Sequence, residues 1–254
     1  MSTSVVLRVF LLTGFFYYGK FISNTKILIL NKFVKFMEKT ILEKLSQKLK
    51  ISVDQIAREY WEMTLLNEIS NSTLGKKLIF KGGTSLRLAY GSPRFSGDLD
   101  FSLKEKVLQR EFFRTMKSVK KKFYGLEITD LKTKYYTSLC EFKIKEEVLK
   151  LPFRVKIEIS RRKFAFKFKL RLLTTPVSPV STLCFVADLN AILKEKIKAL
   201  NERKEPRDIF DIWFICQKLK KELPQNLPKI PNEIMRRELR KYLPTNFWSV
   251  IENL

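Results

Sequence analysis

Residues 76–103, KKLIFKGGTSLRLAYGSPRFSGDLDFSL, constrain the fold of this chain more tightly than any other stretch. A short apolar strand (76–80) runs into two adjacent glycines, TSLRLAY opens a helix, and DLDFSL (98–103) alternates with the period of a half-buried strand. In that last strand Leu99, Phe101 and Leu103 turn to one face, and Asp98, Asp100 and Ser102 to the other. Same-face neighbours stand about 6.8 Å apart, so the two carboxylates share one space. Like charges placed so repel unless a cation sits between them, and oxygen ligands without His or Cys select Mg²⁺ or Mn²⁺. A solvated face whose aspartates pair with Arg or Lys is the alternative that Asp-x-Asp leaves open by itself.

The upstream glycines weigh on that choice. Strand, Gly82-Gly83-Thr84-Ser85, helix is an order that aims backbone N–H groups at phosphates. Glycine permits close approach, and the helix start supplies partial positive charge. Thr84 and Ser85 can add hydroxyl donors, and Lys81 and Arg87 flank the turn as cations for the same phosphates. A phosphate cradle and metal carboxylates would then lie on adjacent elements of one α/β unit.

Elsewhere the chain reads as alternating strands and helices without repeats. Residues 53–69 pattern as a helix, a basic helix is expected over about 104–122, and LCEFKIK and FRVKIEIS alternate as strands. From residue 188 the chain turns helical, interrupted by the proline-rich LPQNLPKIP at 223–231. Residues 1–36 are strongly apolar and are expected to be an appendage, an upstream extension of the start at Met37, with a membrane anchor as the alternative. The expected fold class is α/β (α+β), with an α/β domain over 37–187 and a helical region over 188–254 that contributes to the site.

Three further positions break their local pattern. In LNAILKEKIKAL, Lys196 falls inside the apolar stripe of Leu189, Ile192, Leu193, Ile197 and Leu200. A lysine there must reach an anion, either a carboxylate of the fold or a bound triphosphate. On the next helix, opened by Pro206, Asp208 lies near the centre of the apolar arc and Asp211 at its edge. A first-turn acid is favoured by the helix dipole, which accounts for Asp208 better than for Asp211. In FRVKIEIS, Glu158 shares the polar face with Arg154 and Lys156, as a third metal-side acid or as a cross-strand partner for a lysine.

The string FKGGTSLRLAYGSPRFSGDLDF resembles the polymerase-beta-type nucleotidyltransferases and, within them, is similar to the AbiEii/MenT-type toxins. The later LNAILKEKIKALNERKEPRDIFDIWFI (189–215) is similar to the C-terminal signature of that family. The resemblance implies a mixed sheet flanked by helices, and Mg²⁺-dependent transfer of nucleotides from a nucleoside triphosphate to an acceptor. For several members that acceptor is the 3′ end of tRNA. It also implies an antitoxin partner, metal ligation by Asp98 and Asp100, and an active site completed by Lys196 and by either Asp208 or Asp211, with Glu158 helping to activate the attacking hydroxyl.

Charge bears on the acceptor. Fifty Lys and Arg against 26 Asp and Glu leave a formal +24, which favours a polyanionic partner. Between Arg154 and Arg171 eight basic residues face one acid, with Phe164, Phe166 and Phe168 interleaved. Arg154, Arg161, Arg162, Lys163, Lys167 and Lys169 are the candidates for RNA contact there. The alternative is a solvated strand face with the phenylalanines in the core. Histidine is absent, which excludes His catalysis and His metal sites, and Cys140, Cys184 and Cys216 are too widely spaced for a zinc motif and fit reduced thiols in a cytoplasmic protein. Two other functions fit the same fold: a small-molecule nucleotidyltransferase, against which the charge argues, and an RNA-binding module without turnover.

Overall fold

The computed structural model describes residues 38–163, 167–252 and 254. Two helices lead, α1 (Lys39–Leu49) and α2 (Val53–Ser70), the second capped by the Ser52 hydroxyl, which accepts the Gln55 N–H at 3.4 Å. Then come β1 (Leu78–Lys81), α3 (Gly82–Tyr90), β2 (Asp98–Leu103) and α4 (Gln109–Lys122). Five strands follow without an intervening helix: β3 (Leu126–Thr133), β4 (Thr137–Ile144), β5 (Phe153–Lys163), β6 (Phe168–Thr175) and β7 (Ser178–Ala187). The chain closes with α5 (Leu189–Arg203), α6 (Pro206–Leu219), α7 (Asn232–Leu239) and α8 (Trp248–Ile251).

The run of consecutive strands makes the fold α+β rather than strictly alternating. The seven strands form one mixed sheet in the order β3-β4-β5-β2-β1-β7-β6, with β1–β7 and β2–β5 parallel and the other pairs antiparallel. Period-two alternation divides its residues between two cores. Phe80, Leu99, Phe101 and Ile157 pack with Leu66 of α2 and Met116 of α4 on one face. Ile79 and Ala187 pack with Ile192 of α5 and Phe210 and Ile215 of α6 on the other.

Two boundaries differ from the sequence pattern. Helix α3 begins at Gly82, two residues before Thr84, because Gly82 takes φ +78°, open to glycine, and lets the chain turn directly out of β1. Helix α4 begins at Gln109, not near 104, because the Lys104 and Glu105 N–H groups bond back to the Lys77 carbonyl at 2.8 and 3.3 Å and hold the chain beside β1. Residues 1–36 lie outside the described residues. Among those described, no helix is long and apolar enough to cross a membrane.

Candidate active site

The register of three central strands sets Lys81, Asp100 and Glu158 abreast: Lys81 opposes Asp100 on β2, which opposes Glu158 on β5. Asp98 opposes Lys156 one step along. Adjacent strands lie about 4.8 Å apart, so these side chains share one patch of the sheet. The N-terminus of α3 and one side of α5 wall it. The resulting cleft is lined by Gly82, Asp100, Glu158 and Ser160 below, and by Glu195 and Lys196 above.

Electrostatics mark this patch as short of positive charge around Asp100. Burial, and then the neighbouring Asp98 and Glu158 carboxylates, push the Asp100 carboxyl up to about 6. Lys156 offsets part of the charge, with its amine 3.2 Å from Glu158 and 3.8 Å from Asp98. Burial alone would lower the Lys156 amine, but those two carboxylates hold it above its ordinary value. Lys81 is paired across the cleft with Glu195 at 2.5 Å.

Lys196 lies in the buried stripe of α5, and its amine reaches two fixed carboxylates, Asp208 at 3.0 Å and Asp211 at 2.7 Å. Both aspartates are fully buried, so neither faces the cleft that Lys196 lines. Each has a second cation. Asp211 accepts from Arg94 Nε and Nη2 at 2.7 and 2.8 Å, and Asp208 from Arg203 Nε and Nη2 at 2.7 and 2.8 Å. Burial would raise both carboxyls. Arg94 and Lys196 around Asp211, and Arg203 and Lys196 around Asp208, hold them below the usual range instead.

Other expected site residues are placed differently. The Thr84 hydroxyl donates to the Asp98 carbonyl at 2.6 Å and the Ser85 hydroxyl to the Gly82 carbonyl at 2.9 Å, so both are buried braces of the turn, not groups open to the cleft. Gly83 is buried too, its α-carbon hydrogen facing Arg94 and Ser96 with no room for a Cβ. Arg87 is turned away from the cleft altogether. It pairs with buried Glu59, donates to the Ser92 and Pro93 carbonyls at 3.1 and 3.2 Å, and stacks on the Phe95 ring. The part of the turn that lines the cleft is therefore Lys81 and Gly82, and Lys81, the N-cap of α3, makes no side-chain cap.

The basic candidates divide between two separated strands, because β2, β1 and β7 lie between β5 and β6. Arg154 and Arg162 are exposed on β5, Arg161 is half-buried and Lys163 closes the strand; Lys167 and Lys169 are exposed at β6. Phe168 packs against Phe185 in the core, and Phe164 and Phe166 lie outside the described residues. The sequence pattern left Arg94, Lys156, Ser160 and Arg203 unmarked. Lys156 was visible on the polar face of β5, but Arg94 sits in a loop whose partner is far along the chain.

Among the described residues, no three acidic, His or Cys side chains converge as a finished metal cage. Asp98 and Asp100 supply two carboxylates from one face of β2, with Glu158 beside them. An oxygen-only donor set with an under-compensated acid at its centre fits a hard divalent cation.

Comparison with known proteins bears on the family and the fold. A family model described as "Nucleotidyl transferase AbiEii toxin, Type IV TA system" matches residues 64–244. Among solved structures, MenT4, a nucleotidyltransferase toxin from Mycobacterium tuberculosis H37Rv, aligns with a TM-score of 0.53 at 19% identity, over 80% of this chain and 68% of that one. JHP933 from Helicobacter pylori aligns with a TM-score of 0.50 at 22% identity, over 66% of this chain and 68% of that one. A putative nucleotidyltransferase from H. pylori also aligns at 0.50 and 22%, over 66% and 70%. No curated protein matches. The two strings that suggested the family at the outset both fall within the matched span, and the likeness to the solved structures is one of fold. The chain belongs to the AbiEii nucleotidyltransferase toxin family of type IV toxin–antitoxin systems.

Proposed function

We propose that the protein transfers nucleotides from a nucleoside triphosphate to RNA, at the 3′ end of tRNA, in an Mg²⁺-dependent reaction in the cytoplasm, and is held in check by a cognate antitoxin. One observation carries this reading: the start of α3 at Gly82, the carboxylates of Asp100 and Glu158, and the Lys196 amine all line one cleft. The exposed cations Arg154, Arg162, Lys167 and Lys169 support a polyanionic acceptor.

Each group then has a physical role. The N–H groups at the start of α3 receive the triphosphate, where glycine leaves room and the helix dipole favours anions. Asp98 and Asp100 would hold Mg²⁺, which when bound neutralises phosphate charge and lowers the pKa of a nearby hydroxyl. Glu158 accepts the proton of the acceptor hydroxyl as its oxygen bonds to the α-phosphorus and the bond to pyrophosphate breaks. Lys196 faces the charge that develops on the departing pyrophosphate. Asp208 and Asp211, buried behind it, act on the reaction by fixing the position of that amine, not by touching substrate.

A second reading, an RNA-binding module without turnover, is favoured by Lys156, whose amine already serves as an internal counter-ion to Asp98 and Glu158. Incubating the protein with each labelled nucleoside triphosphate and total RNA separates the two. Label in tRNA that vanishes with EDTA, and with Asp98→Ala or Asp100→Ala, supports transfer; RNA binding with no label supports the module. Labelling that survives EDTA removes the metal.

A further inference from the structure

At the turn between β3 and β4, Tyr135 and Tyr136 are 83% and 53% exposed. Tyrosine normally buries its ring and leaves only the hydroxyl wet, so two adjacent uncovered rings call for an explanation. The rings meet edge to face, with centroids 4.5 Å apart at 89°. The Arg162 guanidinium stands 4.9 Å over the Tyr136 ring. The turn is also fixed in place: the Lys134 N–H bonds to the Thr137 carbonyl at 2.7 Å, and the Arg161 N–H bonds to the Tyr136 carbonyl at 2.9 Å.

That second bond ties the aromatic pair to the strand that serves the cleft. Thr137 opposes Ser160, and Ser160 lines the cleft beside Glu158. Arg162 lies four residues beyond Glu158 on β5, or about 13 Å along an extended strand. The rim is cationic, with Lys134 and Arg162 exposed and Arg161 half-buried.

We infer that Tyr135, Tyr136 and Arg162 form a stacking platform for a nucleobase of single-stranded RNA, one of the last few nucleotides before the reacting 3′ hydroxyl. This rests on the transfer reaction proposed above and adds that the acceptor end is read as an unpaired strand. Splayed bases stack on tyrosine rings and on the planes of arginine guanidinium groups, and the phosphates between them meet the surrounding cations. A rigid platform at this separation from Glu158 would fix the tail so that its terminal hydroxyl enters the cleft.

The test uses the full chain, with Tyr135→Ala/Tyr136→Ala and Tyr135→Phe/Tyr136→Phe double variants, and two readouts. The first is binding of a labelled single-stranded RNA oligonucleotide in EDTA, which needs no turnover. Alanine is expected to weaken binding about tenfold or more and phenylalanine to restore it, since stacking needs the ring and not the hydroxyl. The second is steady-state transfer: the KM for RNA should rise by a similar factor, with kcat and the KM for the triphosphate within about twofold. An oligonucleotide made abasic at each of its last few positions in turn should, at one of them, bind the wild type about tenfold or more weakly than the intact oligonucleotide does. That measurement stands even if the alanine variant does not fold. Equal RNA binding by wild type and a folded alanine variant overturns the platform. Absence of a weakening abasic position also overturns it. Stacking-dependent binding with no transfer to any RNA leaves the platform standing and overturns the transfer reaction alone.

Discussion

Arg94 and Asp211, 117 positions apart in the chain, meet in a buried two-pronged ion pair at 2.7 and 2.8 Å. The pair ties the loop before β2, which leads into Asp98, to the helix behind Lys196. Removing one partner of such a pair leaves a charge stranded in the interior, at a cost of about 3–5 kcal/mol. Arg94→Met should therefore lower stability by the upper part of that range less what Lys196 recovers, on the order of 2–4 kcal/mol in urea unfolding. Asp211 is held below its ordinary range by Arg94 and Lys196 against the effect of burial. Its contribution is present above the unfolded carboxyl value, near pH 4, and is lost as pH falls through the lower folded value. Wild type and Arg94→Met should thus converge in stability only in strong acid.

Asp100 should behave in the opposite sense. Its carboxyl is pushed up to about 6 by burial and by Asp98 and Glu158. In metal-free buffer it binds its proton more tightly folded than unfolded, so stability falls as pH rises from about 4 to about 6 and the full penalty remains above that. Asp100→Asn should melt higher than wild type at about pH 8 in EDTA, by on the order of 2 kcal/mol, and the gap should close by about pH 4. Added Mg²⁺ should stabilise the wild type and not the variant. A variant less stable than wild type at high pH without metal would contradict the charge balance described here.

Lys196→Met separates reaction from stability. Asp208 keeps Arg203 and Asp211 keeps Arg94, so neither acid is left alone and the melting temperature should drop only a few degrees. Transfer should fall by about 10²–10³-fold, the loss expected when a charge aimed at the transition state is removed. Single-turnover labelling beside thermal melts measures both. Full activity in a folded variant would move the site away from α5.

Gly82→Ala tests the cradle. Gly82 sits at φ +78°, where an L side chain is strained, and its added Cβ would collide with the Asp100 carboxylate. The expected outcome is a folded protein with activity reduced by about 10²-fold or more, because the carboxylate proposed to hold the metal has been displaced. Gly91→Ala is the control. It shares a positive φ (+75°) but has open space around it, so it should cost about 1 kcal/mol of stability and no activity.

Period-two and helical patterns made much of this site readable in advance. Asp98 and Asp100 share a strand face because alternation leaves no other place for Leu99 and Phe101, and the lysine anomaly in the α5 stripe pointed directly to buried anions. Pattern could not choose between a carboxylate and a phosphate for Lys196, and the fold supplies both Asp208 and Asp211 as fixed partners. Arg87 was read by proximity in sequence to the glycines, but a helix turns successive side chains through about 100°, and that rotation carries it to Glu59 instead. Glu59 and Glu62 show the same limit. Both are buried on α2, at 2% and 1% exposure, and the helical pattern of 53–69 assigned them no partner. Contacts that join distant segments, such as Arg94 with Asp211, leave no local periodic trace.

The carboxylates of β2 are synthesised early, but Lys196 lies on α5 and the aspartates that fix it lie on α6, which ends at Leu219. A nascent chain halted before Pro206 would carry the sheet and the glycine turn while the Lys196 amine had no anchors and Arg94 lacked its carboxylate. The cleft therefore acquires its fixed geometry only after most of the polypeptide has been synthesised, because the ion pairs that hold Lys196 and Arg94 wait for α6.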